Sequence, residues 1–170
     1  DANGITDVFM KDLATGAVTL ASVTAAGTQG NSFSGNSAVS NDGRYVAFYS
    51  NANNLADGDH NGWYDVFVKD LHTGALSRLS IAPDGNDGVA QVMTFSWHPS
   101  FSADGSTITF TSPSRALLAG DPNTVTVYTV SNPLLGVTLA GGAGNDVYET
   151  QRAGDLGVEA NETFTVTLSN

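Results

Sequence analysis

The sequence predicts an all-β chain built from antiparallel strands, and three observations support this fold class. Apolar and polar residues alternate with a period of two, and no window of useful length shows the 3.6-residue period of a helix. Asp-Gly pairs, which favour the tight turns that join antiparallel strands, interrupt the alternation at Asp42-Gly43, Asp84-Gly85 and Asp104-Gly105. The 170 residues also include 19 glycines, as expected for many short strands joined by turns.

Nine runs with alternating apolar residues are predicted as strands, and turn residues such as Ala14-Thr-Gly16 and His72-Thr-Gly74 separate them. Two further strands are expected to end at Ser40 and Ser102, each directly before an Asp-Gly turn. The nine runs are, in chain order, 7–11, 18–23, 45–49, 65–69, 76–81, 107–111, 125–130, 137–140 and 163–168.

The chain contains an internal repeat. Residues 1–23 align with residues 59–81 at an offset of 58, and 13 of the 23 positions are identical. A second pair of segments, 40–48 and 102–110, matches at an offset of 62. A unit of about 60 residues that carries four strands suits one blade of a β-propeller.

Two motifs of this repeat resemble those of the TolB-like, WD-type propeller repeats. They are Ser-x-Asp-Gly-Arg-Tyr-Val-Ala-Phe over 40–48 and Asp-Val-Phe-Val-Lys-Asp-Leu-x-Thr-Gly over 65–74. The resemblance covers residues 1–135 and implies antiparallel propeller-type blades: a half-blade over 1–36, a blade over 37–98 and a third over 99–135.

That array is incomplete, because a closed propeller needs about four to eight blades. We expect one of two explanations. The chain, which starts inside a repeat without a methionine, is a processed piece of a longer protein. Alternatively, neighbouring copies supply the missing strands, which would build a homo-oligomer or a head-to-tail polymer.

A C-terminal β extension is predicted over residues 136–170. Its segment 141–149 matches every defined position of Gly-Gly-x-Gly-x-Asp-x-U-x and resembles one calcium-binding nonapeptide of the RTX, or haemolysin-type, family. The resemblance implies that Asp146 and backbone carbonyls bind calcium together with neighbouring repeats, although an ordinary glycine-rich turn remains the alternative. Residues 157–170 resemble the closing strand of a Calx-β module, either an edge strand or a donor strand for another subunit.

The strongest candidate site is the loop that leads into the predicted strand at 65–69. Asp57, Asp59, Asn61 and Asp65 stand at positions 1, 3, 5 and 9 of this loop, with a glycine at position 6. Calcium takes 6–8 oxygen ligands and tolerates irregular geometry, so this spacing predicts a calcium site to which Trp63 adds its backbone carbonyl. The alternative is that these side chains only form Asx turns before the strand.

The first copy of the repeat carries a related set of side chains. Asp1, Asn3 and Asp7 are the counterparts of Asp59, Asn61 and Asp65, while the first ligand position has no counterpart. A weaker or shared calcium site is therefore expected there.

Composition restricts the classes of function. The net charge of −11, from 17 acidic and 6 basic residues, argues against binding nucleic acid or anionic membranes. Cysteine is absent, so the sequence predicts no disulfide and no thiol chemistry. The sequence also lacks a run of 18 apolar residues, so no membrane insertion is predicted. No histidine pair has zinc-ligand spacing, and no Gly-x-Ser-x-Gly elbow predicts a nucleophile.

We therefore expect a secreted, extracellular protein of a bacterial cell surface that is non-enzymatic and binds calcium. Its expected role is structural or adhesive, as a filament or surface-layer subunit that assembles with itself, with carbohydrate or a cell surface as a further partner. The alternative is a propeller platform from a secreted enzyme or carbohydrate-binding protein. In that case the aromatic residues Trp63, Tyr64, Phe95 and Trp97 would form a sugar-binding surface, although packing within the blades also explains them.

Overall fold

A computed structural model describes residues 3–60, 62–81, 98–112, 117 and 126–135. Within these residues the chain forms nine β-strands and no helix, so the prediction of an all-β fold is confirmed. No helix in the described part is long and apolar enough to cross a membrane. The strands are β1 (Phe9–Lys11), β2 (Val18–Leu20), β3 (Ser34–Val39), β4 (Tyr45–Ser50), β5 (Asp65–Asp70), β6 (Leu76–Arg78), β7 (Ser100–Phe101), β8 (Thr107–Ser112) and β9 (Thr126–Ser131).

These strands form three antiparallel sheets, each in sequential strand order. The first sheet is β1-β2, the second is β3-β4-β5-β6 and the third is β7-β8-β9. The second sheet has the four-stranded meander of a propeller blade. The described part of the chain is therefore an incomplete propeller-type array, as the repeat predicts.

Two of the three predicted Asp-Gly turns, Asp42-Gly43 and Asp104-Gly105, form where the sequence predicts them, and Asp84-Gly85 lies outside the described residues. Gly43 has φ of 72° between β3 and β4, and Gly105 has φ of 71° between β7 and β8. In the first turn the Ser40 hydroxyl donates to Asp42 Oδ1 over 2.5 Å, and this oxygen also accepts the backbone N–H of Arg44. Side-chain acceptors thus close the turn, as Asx geometry predicts.

Strands β3 and β7 do not belong to the nine runs predicted from apolar residues. Strand β3 reads Ser-Gly-Asn-Ser-Ala-Val and carries an irregular register between Gly35 and Ala38, where Asn36 has φ of 41°. A strand with a bulge and few apolar residues gives little periodic signal. Both β3 and β7 nevertheless end one residue before the serines that were predicted to close them. The predicted blade boundary after residue 36 falls inside β3, and the strands predicted at 137–140 and 163–168 lie outside the described residues.

Apolar clusters join each sheet to the next. One cluster lies between the first and second sheets, where the rings of Phe48 and Phe67 stack with centroids 5.7 Å apart. Two more lie between the second and third sheets, around Ile108 and Phe110. Strands β4 and β5 are consequently covered on both faces, which explains their nearly continuous apolar sequences. The first cluster contains Val8, Ala21, Val46, Phe48, Ala52, Leu55 and Phe67.

The chain divides into two units, Asp1–Leu135 and Gly136–Asn170. The three sheets belong to the first unit. The second unit, which includes Asp146, lies outside the described residues.

Candidate functional site

The predicted calcium loop connects β4 to β5 at one end of the second sheet. Gly58 and Gly62 adopt φ of 75° and 68°, so the loop makes two left-handed bends that favour glycine. Between these bends Asp59 turns inward and is 2% exposed, whereas Asp57 lies on the surface. Asp65 begins β5 and is 4% exposed.

The structure places an arginine beside both buried carboxylates. Arg78 ends β6, where it lies opposite Phe67 in register. Its Nη1 atom lies 3.7 Å from Asp59 Oδ1 and 3.6 Å from Asp65 Oδ2, and the residue is 8% exposed. Removing charges from water is costly unless opposite charges compensate them, so these three groups depend on one another.

A serine completes the attachment of the loop to the sheet. The Ser80 hydroxyl donates to Asp65 Oδ1 and accepts the backbone N–H of Val66 over 3.0 Å. This serine follows β6, so the contact ties the start of β5 to the segment after its neighbour strand. Both oxygens of Asp65 therefore have partners within the chain, one from Ser80 and one from Arg78.

The first copy of the repeat reproduces the serine contact with different neighbours. The Ser22 hydroxyl donates to Asp7 Oδ1 over 2.6 Å and accepts the backbone N–H of Val8 over 3.1 Å. The position of Arg78 is occupied by Leu20, and the second oxygen of Asp7 instead accepts Gln29 Nε2 over 2.6 Å. The Asp–Ser contact is thus shared by the two copies, whereas the third partner differs.

Asn3 forms an Asx turn at the start of the first copy of the repeat. Its Oδ1 accepts the backbone N–H of Ile5 over 2.7 Å, the spacing of an Asx turn, and its Nδ2 donates to the carbonyl of Gly30 over 2.8 Å. Gly4 follows with φ of 68°, the same value as Gly62 in the second copy. The two copies therefore share the backbone bend at this glycine.

These contacts decide how well the loop fits calcium. The structure brings Asp59 and Asp65 together around one guanidinium, which contacts an oxygen of each carboxylate and offsets part of their charge. Calcium requires 6–8 oxygen ligands, and a cation beside Arg78 would meet like charge. Among the described residues, no group of three or more His, Asp or Glu side chains could hold a metal ion.

The described geometry therefore does not fit a calcium ion with Arg78 in this position, and calcium binding by the loop stays a prediction. Trp63, which was expected to contribute its carbonyl, has a side chain at the surface, 36% exposed. Asp1, Asn61 and Asp146, three of the predicted calcium ligands, lie outside the described residues.

Sequence reasoning missed Arg78, although one signal pointed to it. It is one of only 6 basic residues and interrupts the alternating run Leu76-Ser-Arg-Leu-Ser-Ile81, where the first copy has a leucine. A scarce charged residue inside a strand of a repeat indicates a buried ion pair, because such residues are seldom buried without a partner.

Three aromatic residues meet near the same end of the second sheet. Tyr49 and Tyr64 form an edge contact with ring centroids 5.1 Å apart, and Phe33 lies 5.8 Å from Tyr49 and 6.1 Å from Tyr64. Burial raises the pKa of the Tyr49 phenol. Tyr64 thus packs within this cluster, while Phe95 and Trp97 lie outside the described residues.

No protein-family model matches the chain, and no curated protein matches it. Among solved structures, the chain is similar to TolB from Acinetobacter baumannii, with 19% sequence identity and a TM-score of 0.43. The match covers 75% of this chain and 24% of the TolB chain, so the chain spans about a quarter of that protein's length.

Proposed function

We propose that this chain is a non-enzymatic structural module of an extracellular protein and that it assembles through the exposed face of its first sheet. The proposal rests on a difference in burial between two equivalent phenylalanines. Phe67 in the second sheet is fully buried against the first sheet, whereas Phe9, its counterpart 58 residues earlier, is 48% exposed.

The neighbours of these residues show the same difference. Leu71 and Leu76 pack against the cluster that contains Phe67. Their counterparts Leu13 and Val18 are 88% and 60% exposed. The first sheet therefore presents to solvent the apolar surface that the second sheet buries, and contiguous exposed apolar surface is typical of interaction sites.

The third sheet differs from the first in the polarity of its outer face. Strand β8 directs Ile108 and Phe110 toward the second sheet, so Thr107, Thr109 and Thr111 lie on its other face. In the second sheet the matching positions are Tyr45, Ala47 and Tyr49. Val127 of β9, which pairs with Thr111, is an exposed apolar residue on this otherwise polar face. A polar outer face is typical of the terminal repeat in a stacked array.

This asymmetry favours one mode of assembly. The threonine face of one copy is a poor match for the apolar face of another, whereas two apolar faces match each other. We therefore expect two copies to pair through their first sheets, which gives a closed two-fold pair, whereas head-to-tail stacking would give an open filament.

Sedimentation velocity at a series of protein concentrations tests this proposal. The wild-type chain should associate reversibly to a dimer, and the double variant Phe9→Ser, Leu13→Ser should remain monomeric. Val127→Ser is the matched control, because it removes an apolar residue, 65% exposed, from the third sheet. A monomer at every concentration would refute the assembly, and filaments seen by electron microscopy would favour head-to-tail stacking.

The C-terminal extension has a proposed role in the same assembly. We propose that residues 136–170 carry one RTX-type turn, in which Asp146 binds calcium, and a Calx-β-like strand that pairs with its own sheet or with a neighbouring subunit. The acidic composition, with 17 acidic and 6 basic residues, supports an extracellular setting rich in divalent cations. Removing residues 136–170 tests whether the extension contributes to dimer formation.

One observation favours the alternative of a carbohydrate-binding platform. Trp63 lies on the loop before β5 with 36% of its surface exposed, and it directly precedes Tyr64 of the aromatic cluster. Exposed aromatic rings provide the apolar faces on which ligands stack. A monomeric chain whose tryptophan fluorescence changes on titration with oligosaccharides, and does not change in Trp63→Ala, would support the platform over the structural subunit.

A further inference from the structure

We propose that the guanidinium of Arg78 provides the positive charge that a bound cation would otherwise provide in the loop before β5. On this proposal the chain itself supplies the positive charge that closes the loop, and the second sheet folds without metal at this position. The loop then keeps the residue spacing of a calcium motif, while an internal positive charge offsets part of the negative charge of its two buried carboxylates.

The proposal rests first on the burial of three charged side chains and on the distances between them. Asp59, Asp65 and Arg78 are 2%, 4% and 8% exposed, so water screens their charges weakly. A single nitrogen, Nη1 of Arg78, lies within 3.7 Å of one oxygen from each carboxylate. It thus bridges a loop residue and a strand residue, which is the structural role that a metal ion has in a loop of this spacing.

The repeat provides an independent comparison. In the first copy the residue at the position of Arg78 is Leu20, and Asp7 receives a hydrogen bond from the neutral amide of Gln29. In the second copy the equivalent carboxylate, Asp65, is joined by Asp59 and by Arg78. Each copy therefore completes the same Asp–Ser contact with a donor from its own chain. The donor is a neutral amide in the first copy and a guanidinium, which also contacts Asp59, in the second.

The comparison also defines a substitution that should convert the site. Replacing Arg78 by an uncharged side chain would leave Asp59 and Asp65 buried together without their cation. A divalent ion would then meet two carboxylates with no competing positive charge, and Asp57 and Asn61 would be near in sequence to complete its shell. The proposal therefore predicts that calcium stabilises the variant and leaves this loop of the wild type unaffected.

The experiment measures melting temperature in EDTA and in excess calcium for the wild-type chain, Arg78→Met and Arg78→Lys. To separate the loop from the RTX-type turn, every chain also carries Asp146→Ala. We expect no calcium-dependent shift for the parent chain or Arg78→Lys. Arg78→Met should melt lower in EDTA and recover part of the loss in calcium, and adding Asp59→Asn should abolish that recovery.

Terbium luminescence sensitised by Trp63 provides a second readout of ion binding at the loop. The proposal is overturned if the parent chain shows a calcium shift that Asp59→Asn removes, because the wild-type loop would then bind the metal. It is also overturned if folded Arg78→Met shows neither a calcium shift nor terbium luminescence. If Arg78→Met does not fold in EDTA, its recovery on adding calcium supports the proposal, and failure to recover counts against it.

Discussion

Arg44 donates two hydrogen bonds to a single oxygen of Asp70, from Nε over 3.1 Å and from Nη2 over 2.8 Å. The pair joins the turn before β4 to the end of β5. The other oxygen of Asp70 accepts the backbone N–H groups of His72 and Thr73, so this carboxylate both caps the β5–β6 turn and holds the neighbouring strand. Asp12 is its counterpart in the first copy. Its Oδ1 accepts the backbone N–H groups of Ala14 and Thr15 and so caps the turn between β1 and β2.

Asp70→Asn should therefore destabilise the fold more than Asp12→Asn. The asparagine keeps an acceptor for the turn but loses the charged partner of Arg44, and a hydrogen bond to a charged group contributes roughly 1.5–3 kcal/mol. We expect the free energy of unfolding in urea to fall by about 2 kcal/mol in Asp70→Asn. Equal losses in the two variants would show that the Arg44 contact contributes nothing beyond the turn.

The same pair predicts how stability depends on pH. Burial acts to raise the pKa of Asp70, but hydrogen bonds from Arg44 and from the N–H groups of His72 and Thr73 outweigh it and hold this pKa well below its usual value. Folding therefore favours the carboxylate, and its contribution is present above the unfolded pKa and is lost as pH falls toward the folded pKa.

Unfolding free energies measured from neutral pH downward will check this sign. The difference between the wild type and Asp70→Asn should stay constant above about pH 5 and shrink at lower pH. A difference that grows on acidification would contradict the assignment.

The architecture was predictable because the informative features are local. Apolar runs identify β4 and β5, alternation identifies β8, and the Asp-Gly turns identify the hairpins β3–β4 and β7–β8. Strand β3 carries a bulge at Asn36 and few apolar residues, and it is held mainly by pairing with β4. Pairing with another strand leaves no periodic trace in a strand's own sequence.

The candidate site was predictable only in part for a related reason. The loop spacing groups Asp59 and Asp65 as one candidate site, since both lie in one short segment. The approach of Arg78 depends on the register of β6 against β5, where Arg78 pairs with Phe67. Register is set across strands, so spacing along the chain could not place the guanidinium between the carboxylates.

Lys69 provides a test of how the first two sheets are joined. Its Nζ donates to the carbonyls of Val23, Thr24 and Gly74 over 3.2, 2.9 and 2.7 Å, and the residue is 4% exposed. Burial lowers the pKa of this ammonium group. Two of the three acceptors lie in the segment after β2, so a buried lysine of the second sheet holds a turn of the first.

Lys69→Met should lower the free energy of unfolding by about 1–2 kcal/mol, because methionine fills the space but donates no hydrogen bonds. Hydrogen exchange should accelerate more over 18–24 than over β8 and β9. The matched control is Lys11→Met, since Lys11 is the exposed counterpart in the first copy and substitutions at such positions are usually within about 0.5 kcal/mol. Uniform acceleration across all three sheets would argue against a local contact.

A substitution at Gly35 tests how tightly the aromatic cluster of Phe33, Tyr49 and Tyr64 is packed. A Cβ atom at this position would lie 2.9 Å from Cε1 and 3.1 Å from Cζ of Phe33, closer than side chains normally approach. The Phe33 ring cannot retreat freely because it contacts Tyr49 and Tyr64. Gly35→Ala should therefore displace the ring, and overpacking of this kind costs about 1–3 kcal/mol.

The cluster supplies a readout that distinguishes this displacement from general destabilisation. Burial raises the pKa of the Tyr49 phenol, so opening the cluster should move that pKa down toward its ordinary value in a spectrophotometric titration of the folded variant. Ser37→Ala, an exposed substitution on the same strand, should change neither the pKa nor the stability. If Gly35→Ala loses stability while the Tyr49 titration is unchanged, the strain lies in β3 itself and the ring contact is not its cause.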